Sequence, residues 1–243
     1  MAATLDFSLR RDRLYEQVVA QIEQLIFKEA LRPGDKLPSE RILAERLGVS
    51  RAVIRETTRV LSARGLVEVN PGSGTYIREP SVNNAAAPIG LYLKLRQAAN
   101  AFQNLCEIRL TLEVDIAGLA AERASDEDMA AMQAAIGAST VHVQDAEEFV
   151  QHDLAFHSAL ARATHNDLYG VLLTPITDLL LDFRLTAYHY DPQGAIEGSL
   201  THHRHILEQV QERHVEGARQ AMREHLAQAQ SLFEAAIRQT EGK

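Results

Sequence analysis

Strand signals in this 243-residue chain are confined to one stretch, residues 66–77, while the segments on either side are periodic as helices. That placement restricts the fold more than any other feature. A lone hairpin cannot build a sheet core, so it must lean on helices. Three helical segments precede it. Residues 11–30 carry Leu14, Val18, Ile22, Leu25 and Ile26 on one face. Arg32-Pro33-Gly34-Asp35 reads as a turn, and Ser39 as the cap of a second helix with Ile42, Leu43 and Leu47 inward. Gly48-Val49 turns the chain, and Ser50 caps a third helix that runs to about Arg64 and stops at Gly65. Leu66-Val67-Glu68-Val69 and Thr75-Tyr76-Ile77 then read as strands around the turn Asn70-Pro71-Gly72-Ser73-Gly74. Helix, turn, helix and hairpin in this order predict a winged helix-turn-helix.

The third helix places Ile54, Thr57, Thr58 and Leu61 on its inner face and Arg51, Arg55 and Arg59, four residues apart, on another. Three like charges on one stripe repel each other, so an anionic partner explains them better than stability does. An arginine can fork onto guanine O6 and N7 or clamp phosphate. The alternative is a plain solvated basic face. Charge separates the chain in the same sense. Residues 1–78 hold 13 basic and 10 acidic side chains, a net of +3, whereas residues 79–243 hold 12 and 23, a net of −11. The overall charge of −8 disfavours nonspecific nucleic-acid binding by the whole molecule but leaves a dedicated module in the first part.

The run from Leu31 to Ile77 resembles the DNA-binding domain of the GntR family of bacterial transcription regulators. Leu37-Pro38-Ser39-Glu40-Arg41, Gly48-Val49-Ser50-Arg51 and Arg55-Glu56 carry the resemblance. It implies that Arg41, Ser50, Arg51 and Arg55 contact double-stranded operator DNA, and that Gly72 and Gly74 shape the wing. Ala52-Val53 departs from the Thr or Pro of many members, which puts the base preference there in doubt.

Domain boundaries follow from composition. Residues 1–78 form the winged helix-turn-helix domain, 79–88 have linker composition, and 89–243 form a second domain without strand signals. Helices are predicted near 89–97, 100–124, 126–137, 146–164, 167–188, 195–213 and 215–239, with capping boxes at Ser125–Asp128 and Asp145–Glu148. The fold class is therefore mainly α: a winged helix-turn-helix followed by an all-α bundle of six or seven helices. No apolar run approaches the ~18 residues of a membrane span, and the N-terminus lacks a secretory pattern. With Cys106 as its lone cysteine, the chain fits a reducing, cytoplasmic setting.

All ten histidines lie in the second part. Helical facing sorts them. Asp153 and His157 share a stripe with Val150, Leu154 and Leu160. His203 aligns with Leu200, Leu207 and Val210, whereas His205 aligns with Thr201, Gln209 and Glu212 and faces water. His225 aligns with Ala218, Ala221 and Met222, small residues that leave room for a cavity. Asp153, His157, His203 and His225 thus converge from three helices as a divalent-metal site, with zinc, nickel or manganese compatible. Taken singly, a histidine on an apolar face is usually a core residue hydrogen-bonded to a neighbour.

Glu107-Ile108-Arg109, Glu113, Asp153 to His157, His203 to Leu207 and Met222 to Leu226 resemble the FCD effector domain, which defines the FadR subfamily of GntR regulators. The resemblance implies that Asp153, His157, His203 and His225 hold the metal, zinc foremost, and that a small carboxylate effector binds beside it. Arg109 and Asn166 are the candidate effector contacts. Arg109 paired with Glu107 or Glu113, and Asn166 as a helix cap, are the alternatives, and Arg184 and Tyr188 are further pocket candidates. The implied protein is a homodimeric, metabolite-controlled regulator, not an enzyme. Repression is the commoner family behaviour. A metal-dependent enzyme or a metal sensor using the same site is the rival reading, though no general base or nucleophile motif stands near the ligands.

Overall fold

The computed structural model describes residues 10–28, 31–95 and 101–241. The chain divides into two compact units, Met1–Ala85 and Ala86–Lys243. The first contains α1 (Arg10–Lys28), α2 (Glu40–Leu47), α3 (Arg51–Ala63), β1 (Val67–Asn70) and β2 (Gly74–Ile77). Ser39 Oγ accepts from Ile42 N at the start of α2, and Gly48 ends that helix at φ 66°. Ser50 Oγ accepts from Val53 N at the start of α3. The strands pair antiparallel from Val67 opposite Ile77 to Asn70 opposite Gly74. Ser73 N donates to Asn70 O at 3.0 Å, with Pro71 and Gly72 between them and Gly72 at φ 75°. This is a Pro-Gly turn in which the third position needs positive φ. Leu37 N donates to Thr75 O and Ile77 N to Asp35 O, so the segment after α1 lies alongside β2.

Val18, Ile22, Ile26, Leu43, Ile54 and Leu61 form the core of this unit. Leu14, predicted inward, is 42% exposed, and Val19 is buried in its stead. The buried stripe of α1 is therefore rotated toward Val19. The predicted end of α1 at 29–30, the end of the helix predicted over 89–97 and the start of the one predicted over 100–124 lie outside the described residues.

Among its described residues the second unit contains helices and no strand: α4 (Val82–Leu95, which begins in the first unit), α5 (Ala101–Arg123), α6 (Asp126–Val141), α7 (Ala146–Arg162), α8 (Asp167–Leu179), α9 (Leu181–Tyr190), α10 (Pro192–Gln211) and α11 (Val215–Glu241). Two expectations are corrected. Residues 82–88 of the predicted linker are helical. Ser81 Oγ accepts from Asn84 N at 3.2 Å, and Ala85-Ala86-Ala87 are strong helix formers that outweigh Pro88. The single helix predicted over 167–188 breaks at Leu180, giving eight helices among the described residues rather than six or seven. Pro175 removes one helical N–H, and Thr177 Oγ1 donates to the Thr174 and Leu173 carbonyls, which weakens the last turn of α8.

The caps explain the other boundaries. Ser125 and Asp128 form a reciprocal capping box on α6. Asp145 caps α7 from its side chain. Asp191 accepts from Gly194 N at the start of α10, with Pro192 in the first turn. Ile116, Met132, Phe156, Leu160, Ile206 and Met222, all essentially inaccessible, lie at the centre of the bundle.

Candidate metal centre and DNA-reading surface

In the first unit the inner face of α3 is closed by Ile54, Thr57, Thr58 and Leu61. Arg51, Arg55 and Arg59 are all exposed on its outer side. Arg59 pairs with Glu56 at 3.1 Å and Arg41 with Glu45 at 2.7 Å, both on the surface. Ser50 is exposed at the N-terminus of α3, where its oxygen accepts and its O–H remains able to donate. The arrangement presents cations and a helix N-terminus on one side of α3, the chemistry that phosphate and base edges require. At the hairpin tip Gly72 and Gly74 both have positive φ. A Cβ on Gly74 would lie 2.6 Å from Lys36 Cε, so the glycine also admits the lysine stem.

In the second unit α7, α10 and α11 carry His157, His203 and His225, at most 1% exposed. His225 Nε2 lies 3.2 Å from His157 Nε2 and 3.3 Å from His203 Nε2. A ring nitrogen has one in-plane lone pair or one proton, so His225 Nε2 cannot hydrogen-bond to both. A cation at the centre resolves this. Nitrogens held about 2.0–2.1 Å from a tetrahedral zinc lie about 3.3–3.4 Å apart, close to the observed spacing. Burial, and then the neighbouring His157 and the Arg184 and Arg109 charges, push His203 well below the usual histidine range. His225 is pushed down likewise, by burial and by the other two histidines. Both are therefore neutral, the ligating form.

The surroundings fix the orientation of His157. The Glu113 carboxylate on α5 closes on His157 Nδ1. That contact places the proton on Nδ1 and directs the Nε2 lone pair at the cluster. Arg109 Nε donates to the other Glu113 oxygen at 2.5 Å. Burial alone would raise the Glu113 carboxyl, but the Arg109 charge and the contact with His157 outweigh it and hold the group far below the carboxylate range.

Asp153 is buried as predicted and lies against the trio. Its Oδ1 is 3.6 Å from His203 Nε2. Ser199 Oγ donates to that same oxygen, and Arg184 pairs with the other. Arg184 also approaches His157 Nε2 at 3.3 Å. Burial and the Arg109 charge lower its guanidinium to about 9, so it stays a cation at neutral pH.

These groups border a cavity of about 140 Å³ lined by Arg109, Asp153, Arg184, Tyr188, Ser199 and His225 on its polar side. Phe102, Phe183 and Phe233 form an apolar wall, with ring centroids 4.0–5.2 Å apart. Arg109 Nη2 and Arg184 Nε are buried without hydrogen-bond partners among the described residues.

Asn166 does not belong to this cavity. It is exposed, and its Oδ1 accepts from Leu168 N at 3.2 Å as the cap of α8. The turn that ends α7, with His165 at φ 54°, carries it to the surface. The residues that facing arguments missed are Glu113 as the Nδ1 partner and Ser199 as the Asp153 partner. Both carried a signal, since Glu113 is four residues from Arg109 and Ser199 four from His203 on one helical face.

Residues 14–77 match the family model for bacterial regulatory proteins of the gntR family, and residues 104–228 match the FCD domain. The chain belongs to the GntR family, FCD type. The HTH-type transcriptional regulator LutR of Bacillus subtilis (strain 168) is 38% identical over 152 residues, covering 63% of this regulator and 68% of LutR. The HTH-type transcriptional repressor NanR of Klebsiella aerogenes is 26% identical over 228 residues, covering 93% of this chain and 88% of that one. The solved structure of Streptococcus agalactiae GntR superposes with a TM-score of 0.68 at 30% identity, covering 89% of this chain and 99% of the other. The structure of E. coli McbR/YncC, at 18% identity and a TM-score of 0.52, shares the fold. This GntR-family protein is thus a transcriptional regulator with an FCD effector domain, and its relatives are regulators, not enzymes. Among the described residues no helix is long and apolar enough to cross a membrane.

Proposed function

We propose that this regulator is a homodimeric repressor whose grip on operator DNA is set by a small organic acid bound in the FCD cavity beside a divalent metal, zinc foremost. The reading rests on one observation above others. Arg109 and Arg184, each with a buried N–H that has no partner among the described residues, line the same cavity that His225 and Asp153 border. Leaving such donors unpaired is costly, and two guanidiniums at one cavity favour an anionic ligand. Arg109 serves here through Nη2 while its Nε holds Glu113.

His157, His203 and His225 would hold the metal, with Asp153 beside them, and a bound ion would supply a Lewis-acidic point for one carboxylate oxygen. The cavity is on the order of the ~150 Å³ that accommodates benzene, and Phe102, Phe183 and Phe233 favour a compact acid with an apolar portion. Nickel or manganese suits the same donors. Arg51 and Arg55 read or clamp the operator, with Arg41 and Ser50 on phosphate and Gly72 and Gly74 shaping the wing. A two-fold dimer matches a pseudo-palindromic site. The acid can weaken DNA binding only by binding one arrangement of the dimer better than the other.

A thermal-shift screen of small organic acids on metal-loaded and chelator-treated protein tests this reading, followed by operator gel shifts with the hits. A compound that stabilises only the loaded protein and releases operator supports it. Operator release by chelator alone, with every acid silent, would replace it with a metal sensor.

A further inference from the structure

A second group of metal-ligating side chains lies outside the buried centre. His142 is the C-cap of α6, and Glu148 and His152 lie on the first turns of α7. One donor atom from each lies within 4.8 Å of the others. His152 Nε2 is 3.5 Å from Glu148 Oε2, and the His142 and His152 rings lie 5.1 Å apart at 38°. Both histidines are half-buried, and Glu148 is exposed.

We infer that His142, Glu148 and His152 form a second, peripheral site for a divalent transition-metal ion at the turn between α6 and α7. Glu148 and His152 are four residues apart on one helical face, the spacing at which two side chains grip one ion. His142 closes the third side from the preceding helix. An ordinary surface ion pair accounts for His152 and Glu148, at little energy, but not for a second imidazole packed beside them. Two imidazoles and one carboxylate suit zinc, copper or nickel rather than calcium or magnesium. Three protein donors leave at least one position to water, and the site is open to solvent. It therefore exchanges faster and binds more weakly than the buried trio.

The position gives the ion a structural consequence. Val143, next to His142, accepts a hydrogen bond from Tyr188 Oη at 2.6 Å, and Tyr188 lines the effector cavity. Phe149, next to Glu148, has its ring centroid 5.6 Å from that of Tyr188. An ion here staples the turn against which the cavity wall rests.

The test is metal titration of untagged, chelator-stripped full-length protein, with zinc alone as the probe, read by calorimetry and by bound metal after desalting. Wild type is expected to show a tight step and a weaker one. The paired substitution His142→Ala with His152→Ala removes the weaker step and keeps the tight one. His203→Ala does the reverse, which separates this site from the buried centre. In the His203→Ala protein, zinc should also slow amide exchange at residues 142–145. A paired variant that binds zinc with wild-type stoichiometry and affinities overturns the inference, as does a weak step that survives in it. The substitutions are near the surface, so an unchanged melting temperature without metal checks that the fold is intact.

Discussion

The Glu113 carboxylate closes on Nδ1 of His157, with the two side chains 1% and 0% exposed. This contact from α5 to α7 sets which face of the imidazole is available to a metal. Arg109 holds the same carboxylate from the other side. Replacing Glu113 with Gln retains the shape but removes the charge. Metal affinity should fall about 10–100-fold, the range for loss of an outer-shell partner, and competition with a chromogenic chelator measures it. Unchanged affinity would separate Glu113 from the metal centre.

His203 and His205 are two residues apart but opposite in role. His203 is fully buried, whereas His205 is 47% exposed and pairs with Glu208 on the surface. His203→Ala should lower tightly bound metal, and His205→Ala should leave it unchanged. Elemental analysis after desalting decides. Equal losses in both variants would contradict the assignment of the buried trio.

Arg51 and Arg55 stand exposed on the outer side of α3. If they read bases, Arg51→Ala or Arg55→Ala weakens specific operator binding by about 1–3 kcal/mol. If they clamp phosphate, the loss is uniform across sequences and the salt dependence becomes shallower. Titration on operator and scrambled duplex at several salt concentrations distinguishes them, and wild-type affinity in both variants refutes either role.

Acid should destabilise the metal-free protein in two stages. His203 and His225 are held below their ordinary value of 6.5 by burial and neighbouring charge. The unfolded chain therefore binds protons before the folded one does, and stability falls as pH drops below that value. Glu113 is held below its ordinary 4.5 by Arg109 and His157 against the effect of burial, and its contribution is lost at still lower pH. The melting temperature of chelator-treated protein should accordingly decline between about pH 7.5 and 5.5 and more steeply under further acid. A flat profile over the first interval would mean that the histidines are not held neutral by the fold.

Asn166 caps α8 from an exposed position. Asn166→Ala should cost about 1 kcal/mol of stability with effector affinity intact. Calorimetric melting and ligand titration check both, and a selective loss of effector binding would return Asn166 to the site.

The winged helix-turn-helix was legible because its signals are local. Ser39, Ser50, Gly48 and the Asn70–Gly74 turn act within a few residues of themselves, and the facing of α3 follows from helical period alone. The same periodicity turned His203 inward and His205 outward. Tertiary packing decided what period cannot express. Facing predicted four converging ligands but could not show that Arg184 and Ser199 also take the Asp153 carboxylate. It could not choose between Arg109 as an effector contact and as the partner of Glu113, because both outcomes place it on the same face. Nor could it foresee the break at Leu180. Helical period determined that His157, His203 and His225 turn inward; the approach of α5, α7, α9, α10 and α11 decided which side chains meet, since those contacts join residues tens of positions apart.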